Sequence, residues 1–146
     1  MSRFLLDTSC MVAALCAWHE HHERAAREIE CRLSDGAVLV AAAPALVETY
    51  AVLTRLPAPH RLSPAVSLAL LEANFMVDDV LTVALEADAY LRLLRRAPEG
   101  GIAGGGVYDA VIVACALAGK VDTLLTFNER QFRPLADQGI SIVVPA

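Results

Sequence analysis

Short apolar runs that do not alternate with polar residues, each set beside a helical pattern, restrict this chain to few folds. Arg3–Leu6, Ala37–Ala41, Phe75–Val77, Thr123–Thr126 and Ile140–Val144 read as such runs. A strand covered on one face alternates apolar and polar residues. A strand covered on both faces does not, which is the pattern of parallel sheets with helices packed above and below. Between the runs the period changes to that of a helix. Apolar residues and Ala are helical from Cys10, and Trp18–Leu33 continues as a polar, charged helix that Ser34-Asp35-Gly36 ends. Pro44 opens a helix to about Leu56, with Pro in the first turn, where a missing N–H costs little. Ser63 and Pro64 mark another start, as N-cap and N1, running to about Ala73. Asp78-Asp79 lead into a helix through Arg96, Pro98–Gly106 is a glycine-rich loop, Val107–Ala118 is a strongly apolar helix, and Glu129–Leu135 is a short one. Strands alternating with helices predict an α/β domain with a mostly parallel sheet. The length of 146 residues suits a single domain spanning 1–146.

Composition narrows the function classes. Hydrophobic residues make up 56% and aromatics only 5%, so Ala, Val and Leu must fill a closely packed interior. No apolar run reaches the roughly 20 residues of a membrane span. Asp7 interrupts the apolar start where a signal peptide needs continuity, so a cytoplasmic location is expected. Cys10, Cys16, Cys31 and Cys115 form no CxxC pair or metal-ligand spacing, and Cys16 and Cys115 read as small core residues. The net charge of −5 argues against a broad basic surface for nucleic acid. It leaves room for a local one, because all but one of the 12 basic residues are Arg, the side chain suited to forked phosphate contacts.

The acids fall in a telling pattern. Open parallel sheets bind ligands beyond the carboxyl ends of their strands. Asp7 directly follows the first strand, and Asn128 lies two residues beyond Thr123–Thr126. Glu48 sits about one turn into the helix after the second strand, and Asp109 in the first turn of Val107–Ala118. Each has an ordinary reading alone. Asp7-Thr8-Ser9 suits a helix cap, Asp109 suits the positive end of its helix, and Asn128 suits a turn. Glu48, a charge among apolar neighbours, is harder to assign to structure. Convergence of all four on one end of one sheet favours a pocket. Carboxylates crowded together stay ionised only when a cation offsets them. A hard divalent ion, Mg²⁺ or Mn²⁺, takes oxygen ligands, and such a site activates water and clamps a phosphodiester. The ion also reverses the local sign, so an acidic protein can handle a polyanion.

At these residues the sequence resembles PIN-domain ribonucleases, in particular the VapC toxins of bacterial toxin–antitoxin (VapBC) pairs. The matching pieces are FLLDTS at 4–9, ALVETYAVLTRLP at 45–57, GGGVYDAVIVACALAG at 104–119 and LLTFNERQF at 124–132, in the family's order. The resemblance implies a PIN-like three-layer α/β/α fold with a parallel sheet of about five strands, and Mg²⁺- or Mn²⁺-dependent endoribonuclease activity on RNA. It also implies a homodimer and inhibition by a cognate VapB-like antitoxin. Asp7, Glu48 and Asp109 match the family's three metal-binding acids, and Asn128 matches the fourth catalytic position, often Asp and sometimes Asn. Gln131 stands where the family often carries a further acid. Ser9 and Thr126 match hydroxyl positions that would orient an acid or a water. An antitoxin Arg would satisfy the acidic pocket, and the apolar faces of the helices at Cys10–Ala17 and Ala45–Leu56 would offer a groove for its amphipathic segment.

Other features carry less. His19, His22 and Glu23 would share a helical face, but no further ligand accompanies them, so a solvated helix start is expected. Arg55 shares a face with Glu48 and is a candidate RNA contact, while Arg92, Arg95 and Arg96 read as a solvated helix end. The glycines at 100–106 lack the GxxxxGK[ST] pattern of a phosphate cradle. A haloacid-dehalogenase-like phosphatase would need Asp at the position of Ser9. Two readings stand as alternatives: a DNA-directed nuclease of related fold, and a catalytically weak PIN domain serving as an antitoxin-binding module.

Overall fold

A computed structural model describes residues 1–135 and 139–146. The chain runs β1 (Arg3–Leu6), α1 (Thr8–Leu15), α2 (His22–Ser34), β2 (Val38–Ala42), α3 (Ala43–Arg55) and α4 (Pro64–Phe75). It continues through β3 (Leu81–Val83), α5 (Ala87–Arg96), α6 (Gly106–Ala118), β4 (Thr123–Leu125), α7 (Glu129–Phe132), a 3₁₀ turn at Arg133–Leu135 and β5 (Ser141–Val143). The five strands lie in the order β3-β2-β1-β4-β5 and every pairing is parallel. The chain therefore moves outward from β1 to one edge, then crosses back to β4 on the other side. That reversal sits between β1 and β4, and a crevice opens beyond the carboxyl ends of strands at such a point.

The central strands are apolar throughout because both faces are covered. Phe4, Leu5, Leu6 and Leu39–Ala42 are buried, as are Val111–Val113, Cys115 and Ala116 of α6. Burial on all sides explains why α6 lacks a polar stripe. Gly119 ends α6 against the sheet: a Cβ there would meet Val83 Cγ2 at 3.1 Å and Val40 Cγ1 at 3.2 Å. Cys10, Cys16 and Cys115 are buried and all four cysteines are free thiols. Among the described residues, no helix is long and apolar enough to cross a membrane.

Four expectations need correction. The helix of Trp18–Leu33 does not form as one piece, because α1 stops at Leu15 and α2 starts only at His22. The His19 ring accepts the His21 N–H at 3.0 Å through Nδ1, offering the backbone a local partner in place of a helical one. Phe75–Val77 is not a strand. Ser67, Leu71 and Phe75 are the buried stripe of α4, spaced four apart, so the helix runs on through Phe75. The third strand is instead Leu81–Val83, an exposed edge within the stretch read as the helix from Asp78 to Arg96, and α5 begins only at Ala87. Finally, the apolar faces of α1 and α3 are core rather than an open groove. Val12 and Cys16 pack against Leu53, while Met11 is buried and takes the Thr49 hydroxyl on its sulfur at 3.4 Å.

Candidate active site

Asp7 is both the residue after β1 and the N-cap of α1. Its backbone N–H donates to Leu125 O at 3.0 Å, continuing the pairing of β1 with β4 beyond the strand end. Its carboxylate is only 2% exposed, yet well supplied with donors. The Cys10 N–H donates to Oδ1 at 2.8 Å, the Thr126 hydroxyl to Oδ2 at 2.5 Å, and the Ser9 hydroxyl lies 2.7 and 2.9 Å from the two oxygens. The two hydroxyls are held in turn: Ser9 Oγ accepts the Phe127 N–H at 3.2 Å and Thr126 Oγ1 accepts the Asn128 N–H at 2.8 Å. Capping and site-building are thus one arrangement. A carboxylate has about four lone-pair directions, so these donors leave room for one further electropositive partner.

Electrostatics set the three acids in one field. Burial pushes the Asp7 carboxyl up to about 6 against the pull of Thr126, Cys10 and Ser9, and the Asp109 charge adds to the rise. Burial also raises Asp109, with the Glu48 charge contributing. Asp7, Glu48, Asp109 and Asn128 all line one pocket of about 430 Å³. They arrive from β1, α3, the first turn of α6 and the end of β4. Among the described residues no three acidic, His or Cys side chains already close to chelating distance. The donor set is hard oxygen throughout, which suits a divalent ion that keeps several of its waters.

The pocket opens into a larger cleft of about 1240 Å³ that shares Glu48, Asp109 and Asn128 and adds Arg55, Arg130 and Tyr108. Arg55 is exposed on the last turn of α3, placed as the sequence suggested. Gly105 and Gly106 border the cleft where α6 begins. Arg92, Arg95 and Arg96 lie on the exposed end of α5 and line neither space.

Sequence reasoning missed part of the acidic pocket. His19, Glu20, His21 and Phe127 line it, brought there by the break between α1 and α2. Burial and the neighbouring His21 lower the His19 pKa, which favours its neutral ring. His22 turns away to Ala13 O, at 2.9 Å from Nδ1, so the face imagined for His19, His22 and Glu23 is not formed. Thr8 also lines the pocket, and its buried hydroxyl has no partner among the described residues.

A PIN domain profile matches residues 4–137. The chain belongs to the PIN-domain family, among its VapC ribonucleases. It is 43% identical over 106 residues to ribonuclease VapC40 of Mycobacterium tuberculosis, covering 73% of this chain and 72% of that one. The crystal structure of M. tuberculosis VapC20, a toxin that cleaves the sarcin-ricin loop, superposes with a TM-score of 0.69 at 17% identity, over 88% of this chain and 92% of that one. DNA-bound VapBC from Salmonella typhimurium gives a TM-score of 0.67 at 21% identity, over 100% of both chains. At such identities the two structures establish the shared fold: a PIN-like α/β/α arrangement around a parallel sheet.

Proposed function

We propose that this PIN-domain protein is an Mg²⁺- or Mn²⁺-dependent endoribonuclease that acts as the toxin of a toxin–antitoxin pair. The observation that carries the reading is the convergence of Asp7, Glu48 and Asp109 at the switch point of the sheet, in a pocket that opens onto a cleft bearing Arg55 and Arg130. Those three carboxylates would hold the divalent ion, which would supply Lewis acidity toward water and offset charge developing on the phosphate.

The chain's own residues do the rest. Ser9, Thr126 and the Cys10 N–H fix the Asp7 carboxylate, so it meets a cation without reorganising. The Asn128 amide, exposed at the rim, orients a water without adding charge. Arg55 and Arg130 hold phosphates on the cleft side, where forked guanidinium contacts fix the strand. VapC40 is named a ribonuclease and VapBC complexes share the fold, which supports RNA as substrate and a VapB-like partner. The same reading includes a homodimer, for which exposed apolar side chains such as Leu91 and Leu94 on α5 are candidate surface. The deciding experiment measures cleavage of total RNA and of single-stranded DNA with Mn²⁺. RNA cleavage that disappears in Asp109→Asn supports the reading; undiminished cleavage by that variant would sink the metal-site assignment.

A further inference from the structure

The loop between α1 and α2 begins a continuous row of rings. Trp18 stacks on His60 with centroids 4.0 Å apart, Trp18 and His19 are 5.7 Å apart, His19 and His21 5.6 Å, and His21 stacks on Phe127 at 4.4 Å. Three of these rings, those of His19, His21 and Phe127, line the acidic pocket. The row therefore leads from the surface near the end of α3 directly to the three carboxylates. From this we infer that the row is a stacking ledge for unpaired bases of single-stranded RNA flanking the cleaved phosphate. The inference rests on the ribonuclease reading and extends it to how the substrate is held.

Three observations favour bases over another occupant. Trp18 is 47% exposed, although a Trp serving only the core would be largely buried. Its ring is tilted 39° from His19, so on that side the indole has no face-to-face partner. The cation nearest the pocket end of this wall is also not free for phosphates. Arg24 is the cation placed over Phe127, and its guanidinium is committed to Pro145 O at 2.8 and 3.0 Å and to His21. Glu20, between the two histidines, also lines the pocket and repels phosphate. Backbone contacts thus fall to the adjoining cleft, at Arg55 and Arg130, and base contacts to this wall. A charged wall for the backbone and aromatic rings for the bases is how single strands are held without a broadly basic surface. It answers how a chain of net charge −5 retains RNA.

Trp18 is the sole tryptophan, so its emission reports on the ledge alone. The experiment titrates the protein in EDTA, where no cleavage occurs, with a dye-labelled single-stranded hexaribonucleotide and with the same RNA annealed to its complement. The single strand should quench Trp18 saturably and the duplex should not. Trp18→Ala should weaken binding, read by dye anisotropy, roughly tenfold, while Trp18→Tyr stays within about twofold because it keeps a stacking face. Equal binding by Trp18→Ala, equal quenching by duplex, no binding at all, or binding that leaves Trp18 emission unchanged would each overturn the ledge. Failure of the ribonuclease reading shows separately, as an absence of RNA cleavage by the wild type with Mn²⁺.

Discussion

The Thr126 hydroxyl, one residue past β4, donates to Oδ2 of Asp7, one residue past β1, at 2.5 Å. One hydrogen bond thus bridges the two strands between which the sheet reverses direction, and it lands on the acid most deeply placed in the site. A donor aimed at an ionised carboxylate stabilises the charged form. Thr126→Val keeps the shape and removes the hydroxyl, which is both the donor to Asp7 and the acceptor of the Asn128 N–H. It should lift the Asp7 pKa above its value of about 6 and lower stability at pH 7 by about 1–3 kcal/mol. The loss should shrink at pH 4, where Asp7 is protonated. Chemical unfolding at the two pH values checks this, and an equal loss at both would contradict it.

The elevated Asp7 pKa has its own consequence for pH dependence. Its ordinary value is 3.8 and its folded value about 6, so the folded state binds this proton more tightly than the unfolded one. The contribution of Asp7 to stability is therefore greatest below about pH 4, declines as pH rises to 6, and is level above that. The full swing is about 3 kcal/mol. Asp7→Asn removes it. Without metal, the variant should gain stability over the wild type by roughly that amount between pH 4 and pH 7. Glu48→Gln and Asp109→Asn should likewise hold or raise the metal-free melting temperature at pH 7, because each relieves repulsion. Scanning calorimetry in EDTA across this range provides the measurement, and a difference between wild type and Asp7→Asn that does not change between pH 4 and pH 7 would refute it.

Much of this arrangement was legible in the sequence, for a physical reason. Asp7 directly follows β1, Asp109 sits in the first turn of α6 and Glu48 lies in the second turn of the helix after β2, so their places are fixed by local chain geometry and a rule for parallel sheets. The pairing of Ser63 with Pro64 was likewise local, and Ser63 Oγ indeed accepts the Val66 N–H at 3.2 Å. What the sequence hid depends on competition between elements. Phe75 looks like the start of a strand until its spacing from Ser67 and Leu71 is weighed, and Leu81–Val83 is too short and exposed to show a strand pattern. The aromatic wall was hidden because His19 replaces a helical hydrogen bond with its own ring, a choice that composition does not betray.

Asn128 should behave differently from the three acids. Its N–H anchors Thr126, but its amide carries no charge and lies exposed at the rim. Asn128→Ala keeps the backbone contact, so it should reduce cleavage less than any acid substitution. Asn128→Asp adds a fourth carboxylate at the pocket and should tighten Mn²⁺ binding. Calorimetric titration with Mn²⁺ decides the matter, and equal or weaker affinity in the Asp variant would exclude Asn128 from the ion's surroundings.

An inhibitory partner should exploit the same field. Without a metal, Asp7, Glu48 and Asp109 make a focused negative site that an Arg guanidinium satisfies with paired, charge-assisted hydrogen bonds. The path to it is set by what the fold leaves open. The faces of α1 and α3 that meet around Val12, Cys16 and Leu53 are closed to a partner. The other face of α3 is open: Val47 is 71% exposed, and Val47, Ala51 and Arg55 line the large cleft leading to Glu48 and Asp109. An amphipathic antitoxin segment should therefore lie along that outer face, with its Arg entering the pocket. Ion and guanidinium would then compete for the same oxygens. Raising Mn²⁺ should weaken binding of a peptide from the antitoxin's C-terminal region, and Asp7→Asn should weaken it further by removing one of its charges. Val47→Ser, which removes apolar surface without adding charge beside the phosphate path, should also reduce affinity. If peptide binding by anisotropy ignores both Mn²⁺ and Asp7→Asn, inhibition acts away from the acids and the cleft is not its route.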